Sequence, residues 1–238
     1  MKNIVLVIIF FITNSVYGQV DFNSLLGSGN SGLGSGLSND KIVSGLKEAL
    51  KNGASKSGQL ASATDGFYKN PLIKIPFPSE AKQMEKTLRS IGLGSEVDKF
   101  IKSLNRAAED ASKKAAPIFI DAITGMDVND GLKILRGSNT AATEYLKGAT
   151  SAELKTAFNP VIKNSLKKVN VTKYWKSLAK SYNQMPMVKK MNPDLEDYVS
   201  EKTLEGLFKM IAEQEAGIRK DPLKTGSKLI EDVFGGKK

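Results

Sequence analysis

The chain has 238 residues, with 35 Lys and Arg against 25 Asp and Glu, and it contains neither His nor Cys. Without cysteine it can form no disulfide, thiol nucleophile, lipoprotein anchor or thiolate metal site, and without histidine no imidazole metal ligand or Ser-His triad. The catalytic chemistries that remain are those of carboxylates, Ser-Lys pairs, Tyr and Arg. We therefore expect no metal site and no cofactor.

The first 18 residues have the pattern of a secretory signal peptide. Lys2 is followed by the apolar run 4–12, and the small residues Val16 and Gly18 stand at positions minus three and minus one of a cleavage site before Gln19. The apolar run is shorter than the roughly 20 residues that a membrane-spanning helix needs. A buried strand is the alternative interpretation of this run. We expect an exported protein, periplasmic or secreted, whose mature chain starts near Gln19.

Residues 19–39 form a segment in which five glycines are interleaved with five serines. Such a composition cannot offset the entropy of its own ordering, so this segment is predicted to be a disordered linker. A Gly-rich phosphate loop is the alternative. That loop would need a preceding strand and a closing Lys-Ser or Lys-Thr pair, and the segment has neither.

Residues 40–238 are predicted to form a single all-α domain of about eight to ten helices with at most one short extended segment. Helix-capping and helix-ending residues stand at nearly every junction. The predicted starts are at Ser38 to Asp40, Ser79, Ser95, Asp127, Thr150, Pro193 and Asp221, and three predicted ends are at Gly53, Gly92 and Gly137. The prolines around 72–77 favour an extended edge segment there.

The spacing of apolar residues supports the helical prediction. From Val97 to Ala115 they recur at steps of three and four, which predicts an amphipathic helix with one face in the core. Around Pro117 the apolar residues point in every direction. We therefore expect a kinked or restarted helix there, in the most buried stretch of the domain.

Several short motifs occur together in this domain. They are LNRAAE at 104–109, APIF at 116–119, ILRG at 134–137, AATEY at 141–145, DYV at 197–199, GLF at 206–208, Glu215 with Ile218 and Arg219, and VFG at 233–235. Together these motifs resemble the bacterial envelope family of domain of unknown function 4197, over residues 42–235. The resemblance implies an exported, mostly helical domain in a Gram-negative envelope and implies no activity. Many relatives carry a lipoprotein cysteine, which this chain lacks.

Two pairs of opposite charges lie on helices with a core-facing side. Glu215 interrupts an apolar stripe one turn before Arg219, and Arg106 precedes Glu109 by three residues. A buried carboxylate must be paired or protonated, so we interpret both pairs as ion pairs that fix the fold. The alternative is a polar ligand pocket in which Asn105, Glu109, Glu215 and Arg219 meet. Acid–base catalysis by the two carboxylates is less favoured, because no sugar-binding aromatic residues lie beside them.

Three short patterns also occur in the order used by penicillin-interacting enzymes. They are S-x-x-K at Ser79 to Lys82, S-x-N at Ser181 to Asn183 and K-T-G at Lys224 to Gly226. In those enzymes K-T-G lies on a sheet edge, whereas here Pro222 predicts the start of a helix. A Ser-Lys hydrolase or acyl-transfer enzyme is therefore kept as the alternative, and no catalytic residue is assigned.

The excess positive charge is concentrated in residues 151–190, which contain nine lysines and one acidic residue, Glu153. Beyond Val171, Trp175 lies on one side of a predicted amphipathic helix and a set of lysines on another. The candidate basic surface consists of Lys173, Lys176 and Lys180. The simplest interpretation packs Trp175 inward and leaves the lysines solvated.

The functional interpretation of the same lysines is a surface for an anionic partner. Anionic lipid headgroups, an acidic polysaccharide or an acidic envelope protein all fit this chemistry. Nucleic acid is not expected, because the protein is predicted to be exported, the basic residues of the segment are all Lys, and no nucleic-acid fold signature is present. The sequence thus favours a non-catalytic binding module, and it does not predict an oligomeric state.

Overall fold

The computed structural model describes residues 38–168 and 194–221, together with residues 175–176, 180, 183–184, 186–187, 190, 192 and 228. These residues contain seven α-helices, one short 3-10 helix and no strand, which confirms the all-α prediction with fewer helices than the eight to ten expected. The helices are α1 (Asn39–Ser62), the 3-10 helix (Ser79–Ala81), α2 (Lys82–Ser90), α3 (Gly94–Ser112), α4 (Ala115–Gly125), α5 (Val128–Arg136), α6 (Ala141–Lys167) and α7 (Leu195–Lys220). The predicted signal peptide, most of the predicted linker and the predicted helix after Pro222 lie outside the described residues.

The two longest helices, α6 and α7, form the centre of the domain. They pack against each other, α3 packs against both, and α1 packs against α4 and α7. Each central helix buries a stripe in which every fourth residue faces the core, as the α-helical repeat requires. The stripe of α6 is Leu146, Thr150, Leu154, Phe158, Ile162 and Leu166, and that of α7 is Leu195, Val199, Thr203, Leu207, Ile211 and Glu215. None of the described helices combines the length and the apolarity needed to cross a membrane.

Two of the predicted helix starts and two of the predicted ends, Gly92 and Gly137, are confirmed by hydrogen bonds. The Ser38 side chain accepts from the Lys41 amide, and the Asp127 carboxylate accepts from the Asp130 amide at 2.7 Å. The helix that Asp127 caps ends with Gly137 as its C-cap. Short polar side chains at these positions satisfy amide groups that have no partner within the helix.

Four of the predicted boundaries are wrong. The start predicted at Pro193 is displaced, because α7 is capped by Asp194 and begins at Leu195. Gly53 and Thr150 lie inside α1 and α6, and α3 begins at Gly94 without a side-chain cap from Ser95. The Thr150 hydroxyl instead donates to the Leu146 carbonyl at 2.6 Å, which satisfies it within the helix. Gly53 serves close packing, because a Cβ atom there would lie 3.3 Å from Gln214 Cβ on α7.

The region around Pro117 is a restarted helix, as predicted, since α3 ends at Ser112 and α4 begins at Ala115. The expectation that it is the most buried stretch is wrong. Within α4 only Ala115, Phe119 and Ile123 are buried. The reason is its position beside the central pair of helices, where α4 packs against α1 and α6 and keeps an exposed face.

Gly206 and Gly217 of α7 give opposite predictions for the same substitution. A Cβ atom at Gly206 would lie 2.8 Å from Cε1 of the buried Phe67 ring, whereas nothing lies within 4 Å of one at Gly217. We expect Gly206→Ala to lower the free energy of unfolding by about 1–3 kcal/mol, because a packed core resists added volume. Gly217→Ala should raise it by about 0.5–1 kcal/mol, since Ala loses less backbone entropy in a helix. Urea unfolding followed by circular dichroism measures both, and stabilisation by both variants would contradict the packing argument.

Candidate functional site

The first candidate cluster is the loop anchor, formed by Asn105, Arg106 and Glu109 of α3 with residues 65–75. Glu109 Oε1 accepts hydrogen bonds from the backbone amides of Phe67 at 3.1 Å and Tyr68 at 3.2 Å. Its Oε2 accepts one from Arg106 Nη1 at 2.5 Å. Both oxygens of this buried carboxylate are therefore occupied by partners within the protein.

Asn105 holds the extended segment that the prolines predict. Its Oδ1 accepts from the Ile75 amide and its Nδ2 donates to the Ile75 carbonyl, both at 2.8 Å, and Nδ2 also donates to the Ile101 carbonyl. The amide thus pairs with Ile75 as a neighbouring strand would. The Asn105 side chain thereby provides hydrogen-bond partners for the buried backbone amide and carbonyl of Ile75, which have no neighbouring strand among the described residues.

Arg106 connects Glu109 to a strained turn. Its Nη2 donates to Asp65 Oδ1 at 2.5 Å, and Asp65 has a positive φ of 67°. Hydrogen bonds from Lys69 and then Arg106 hold the pKa of the Asp65 carboxyl below its usual range. The hydrogen bond to Glu109, followed by the one to Asp65, raises the pKa of Arg106. This network keeps Asp65 ionised and the turn in place.

The second candidate cluster is the α6 cap, formed by Glu215 and Arg219 of α7 with Ala142 and Thr143 of α6. Glu215 Oε1 accepts from the Ala142 amide at 3.1 Å, and Oε2 accepts from the Thr143 amide at 2.9 Å and the Thr143 hydroxyl at 2.7 Å. The N-cap residue of α6, Thr140, makes no side-chain cap of its own. A carboxylate from another helix therefore replaces it at the positive end of the helix dipole.

Arg219 completes the α6 cap. Its Nε and Nη2 donate to Glu215 Oε1 at 3.1 and 2.9 Å, and Nη2 also donates to the Ile134 carbonyl in the last turn of α5 at 3.1 Å. The side chains of Arg219 and Glu215 are only 10% and 4% exposed. The cap thus joins three helices through charge-assisted hydrogen bonds.

The loop anchor and the α6 cap have separate sets of partners. A cavity of about 10 Å³ lies beside the α6 cap, which is room for about one water molecule. Its lining residues are Leu46, Ala49, Leu50, Ala142, Glu215, Ile218 and Arg219. Asn105, Arg106 and Glu109 do not belong to this lining. The geometry therefore favours two structural ion pairs over one shared ligand pocket.

The third candidate is the Lys-rich segment, residues 151–190, in which an aromatic cluster around Trp175 contacts the rest of the domain. Trp175 is buried, and its ring centroid lies 5.9 Å from that of Phe77 and 5.6 Å from that of Phe100 on α3. Its Nε1 donates to the Asn192 carbonyl at 3.1 Å. The inward packing predicted for Trp175 therefore occurs, with a hydrogen-bond partner for its one polar atom.

Two exposed lysines of the candidate basic surface differ from Lys155 in their ion pairing. Lys176 and Lys180 are exposed and form no ion pair with any described residue, whereas Lys155 is paired with Asp197 at 2.7 Å. Lys173 lies outside the described residues. Within the candidate basic surface, Lys176 and Lys180 thus carry positive charge that no described residue neutralises. The charge of Lys155 is partly neutralised by Asp197.

The residues of the Ser-Lys alternative are described only in part. Ser79 and Lys82 are exposed around the start of α2, while Ser181 and Lys224 to Gly226 lie outside the described residues. The part of the chain that the structure describes has no strand on which a K-T-G motif could line a substrate. It also contains no group of three or more acidic residues placed to hold a metal ion.

Sequence reasoning missed Asp65 and Tyr198. The pair Asp65–Gly66 is typical of a turn and was the available signal. The Tyr198 hydroxyl donates to the Pro76 carbonyl at 3.1 Å, and burial, followed by the charges of Glu80 and Glu205, raises its pKa. Both residues hold the 65–78 segment against the helices.

A family model described as "Protein of unknown function (DUF4197)" matches residues 36–235. No curated protein and no solved structure matches the chain significantly. The matched range includes all seven helices as well as the loop anchor, the α6 cap and the Lys-rich segment. The chain therefore belongs to the family of proteins of unknown function called DUF4197.

Proposed function

We propose that the protein is an exported, non-catalytic binding module that contacts an anionic surface of the cell envelope through its Lys-rich segment. The observation that carries this proposal is the exposure of Lys176 and Lys180 without an ion-pair partner among the described residues. Export, to the periplasm or beyond the cell, rests on the signal-peptide pattern of residues 1–18.

The aromatic cluster supports a binding role for these lysines. Trp175 is held by Phe77 and Phe100, so the residue next to it, Lys176, is kept at a defined place on the surface. Lys180 comes four residues after Lys176, the sequence spacing at which two side chains of a helix lie on one side. Two neighbouring ammonium groups attract an anionic surface over about one Debye length, and salt weakens that attraction.

The loop anchor and the α6 cap support a non-catalytic role. A general acid or base must reach a substrate, whereas both oxygens of Glu109 and of Glu215 accept hydrogen bonds from the protein itself. The hydrogen bonds of these two carboxylates stabilise the fold. Anionic lipid headgroups, an acidic polysaccharide and an acidic envelope protein share the negative charge that the lysines would bind.

The charge-reversal variant Lys176→Glu/Lys180→Glu tests this proposal. We expect its affinity for immobilised dextran sulfate at 50 mM salt to fall at least ten-fold, because each lysine near an anionic surface contributes roughly 1 kcal/mol. The control variant Lys41→Glu/Lys56→Glu makes the same change in net charge on α1, where both lysines are exposed. It should elute close to the original protein.

Two results would overturn the proposal. The original protein could fail to bind dextran sulfate even at low salt, or both variants could lose affinity equally. The second result would mean that net charge, rather than a specific surface, governs the interaction.

A further inference from the structure

The turn between α2 and α3 exposes two large apolar side chains, which we call the apolar tip. Ile91 is 64% exposed and Leu93 is 42% exposed, in the short connection between Ser90 at the end of α2 and Gly94 at the start of α3. A single exposed apolar residue needs no explanation, but two at the end of one helical hairpin form a small patch.

The backbone fixes the shape of this tip. Gly92 has a φ of 87°, its amide donates to the Arg89 carbonyl at 3.2 Å, and the Leu93 amide donates to the Leu88 carbonyl at 2.9 Å. These are the two hydrogen bonds of a Schellman motif, which ends a helix in a defined turn. The motif needs Gly at 92 for its positive φ, whereas it places no requirement on the exposed Ile91.

Of the two helices of this hairpin, α3 packs in the core, whereas α2 lies at the edge of the core with the partly buried Met84 and Leu88 against it. No residue of α2 is buried, and this helix packs mainly against α3 and the 3-10 helix. Its ion pairs are local, since Arg89 binds both Glu85 and Asp98. Lys86 is exposed and has no ion-pair partner among the described residues, so free positive charge lies less than two turns from the tip.

The same helix, α3, connects the apolar tip to the candidate basic surface. Phe100, which contacts Trp175, is seven residues after Leu93, a distance of about 10 Å along a helix axis. Lys176 follows Trp175 directly. The apolar tip and the Phe100 ring that contacts Trp175 therefore lie about two turns apart along one helix.

We propose that this end of the molecule docks on an anionic lipid bilayer, with Ile91 and Leu93 inserted among the headgroups and Lys86, Lys176 and Lys180 contacting their phosphates. This inference rests on the proposed function and identifies the anionic surface as a lipid bilayer. A bilayer offers an apolar phase to the tip and negative charge to the lysines, a combination typical of interfacial binding. A hydrated polysaccharide offers only the charge.

The lack of cysteine makes a direct test possible, because one introduced thiol can be labelled alone. The variant Ile91→Cys carries an environment-sensitive nitrobenzoxadiazole dye, and Asn129→Cys, at an exposed position on α5, is the control. The purified protein, with its N terminus established by mass spectrometry, is mixed with vesicles containing 30% phosphatidylglycerol. We expect the dye at position 91 to brighten several-fold and shift to the blue, and the dye at position 129 to stay unchanged.

A second variant separates insertion from charge. Ile91→Ser/Leu93→Ser should weaken binding to these vesicles about ten-fold, because it removes most of the apolar surface of the tip. Its elution from dextran sulfate should not change. Lys176→Glu/Lys180→Glu should weaken both interactions, and vesicles of neutral phosphatidylcholine should bind the original protein poorly.

The possible failures are distinguishable. If the serine variant binds the anionic vesicles as tightly as the original protein, or if the dye at position 91 does not respond on bound protein, the insertion of the tip is overturned. Binding to dextran sulfate without binding to vesicles would overturn the proposal of a bilayer as the partner and favour a polysaccharide or an acidic protein. Binding to neither would overturn the proposed function itself.

Discussion

Replacing Glu215 with Ala is expected to lower the free energy of unfolding by about 3–5 kcal/mol, as is typical when one partner of a buried ion pair is removed. The substitution removes the carboxylate to which Arg219, whose side chain is only 10% exposed, donates two hydrogen bonds. It also leaves the amides of Ala142 and Thr143 without an acceptor at the start of α6. For a domain of this size the melting temperature should fall by roughly 10 °C.

Two controls on α7 separate the α6 cap from general effects on the helix. Glu213→Ala removes an exposed carboxylate two residues away and should change the stability by no more than about 0.5 kcal/mol. Glu215→Gln keeps an acceptor oxygen but loses the charge, so its effect should lie between the two. A loss below 1 kcal/mol for Glu215→Ala, measured by urea unfolding, would contradict the cap.

The α6 cap shows which part of this site could be predicted from the sequence. The position of Glu215 on an apolar stripe and its spacing from Arg219 predict an inward-facing pair, because both follow from the repeat of one helix. The contacts with Ala142 and Thr143 join residues more than 70 positions apart. They depend on how α6 and α7 align, which no local pattern encodes.

The helix boundaries also show that local contacts can be predicted from the sequence and contacts between helices cannot. Asp127 is a correct prediction because its carboxylate meets an amide three residues later, a contact within one turn. Thr150 precedes Glu153 by the three residues of a capping box, yet it lies in the middle of α6, where its hydroxyl donates to the Leu146 carbonyl of the preceding turn. Gly53 lies where α1 approaches Gln214 on α7 closely. This glycine therefore serves the packing of two helices rather than the end of one.

The charge of the Lys-rich segment could be predicted from the sequence, but the residues that Trp175 contacts could not. The spacing of Trp175 and the lysines correctly places the ring inside and Lys176 and Lys180 outside. Nothing local identifies Phe77 and Phe100 as the partners of the ring, because they come from a proline-rich segment and from α3. The exposed tip at Ile91 was missed for a different reason, since apolar residues near a helix end are ordinarily assigned to the core.

Glu109→Ala is expected to lower the free energy of unfolding by about 2–4 kcal/mol. It leaves the amides of Phe67 and Tyr68 without their acceptor, and each buried donor without a partner costs about 1–3 kcal/mol. The effect should be smaller than at Glu215 because Arg106, with a side chain 33% exposed, can turn to water and remains paired with Asp65. The loss should concentrate in the loop, since the carboxylate holds that segment rather than a helix.

Limited trypsin digestion shows whether the loop is released, because Lys69 and Lys74 are exposed residues at which the enzyme cuts. In Glu109→Ala these two sites should be cleaved several times faster than in the original protein under conditions where both remain folded. Lys102→Ala, at an exposed position on the same helix, should change neither the stability nor the cleavage rate. Unchanged cleavage at Lys69 and Lys74 together with a stability loss below 1 kcal/mol would mean that Glu109 does not anchor the loop, and its carboxylate would then have to be reconsidered as a ligand-binding group.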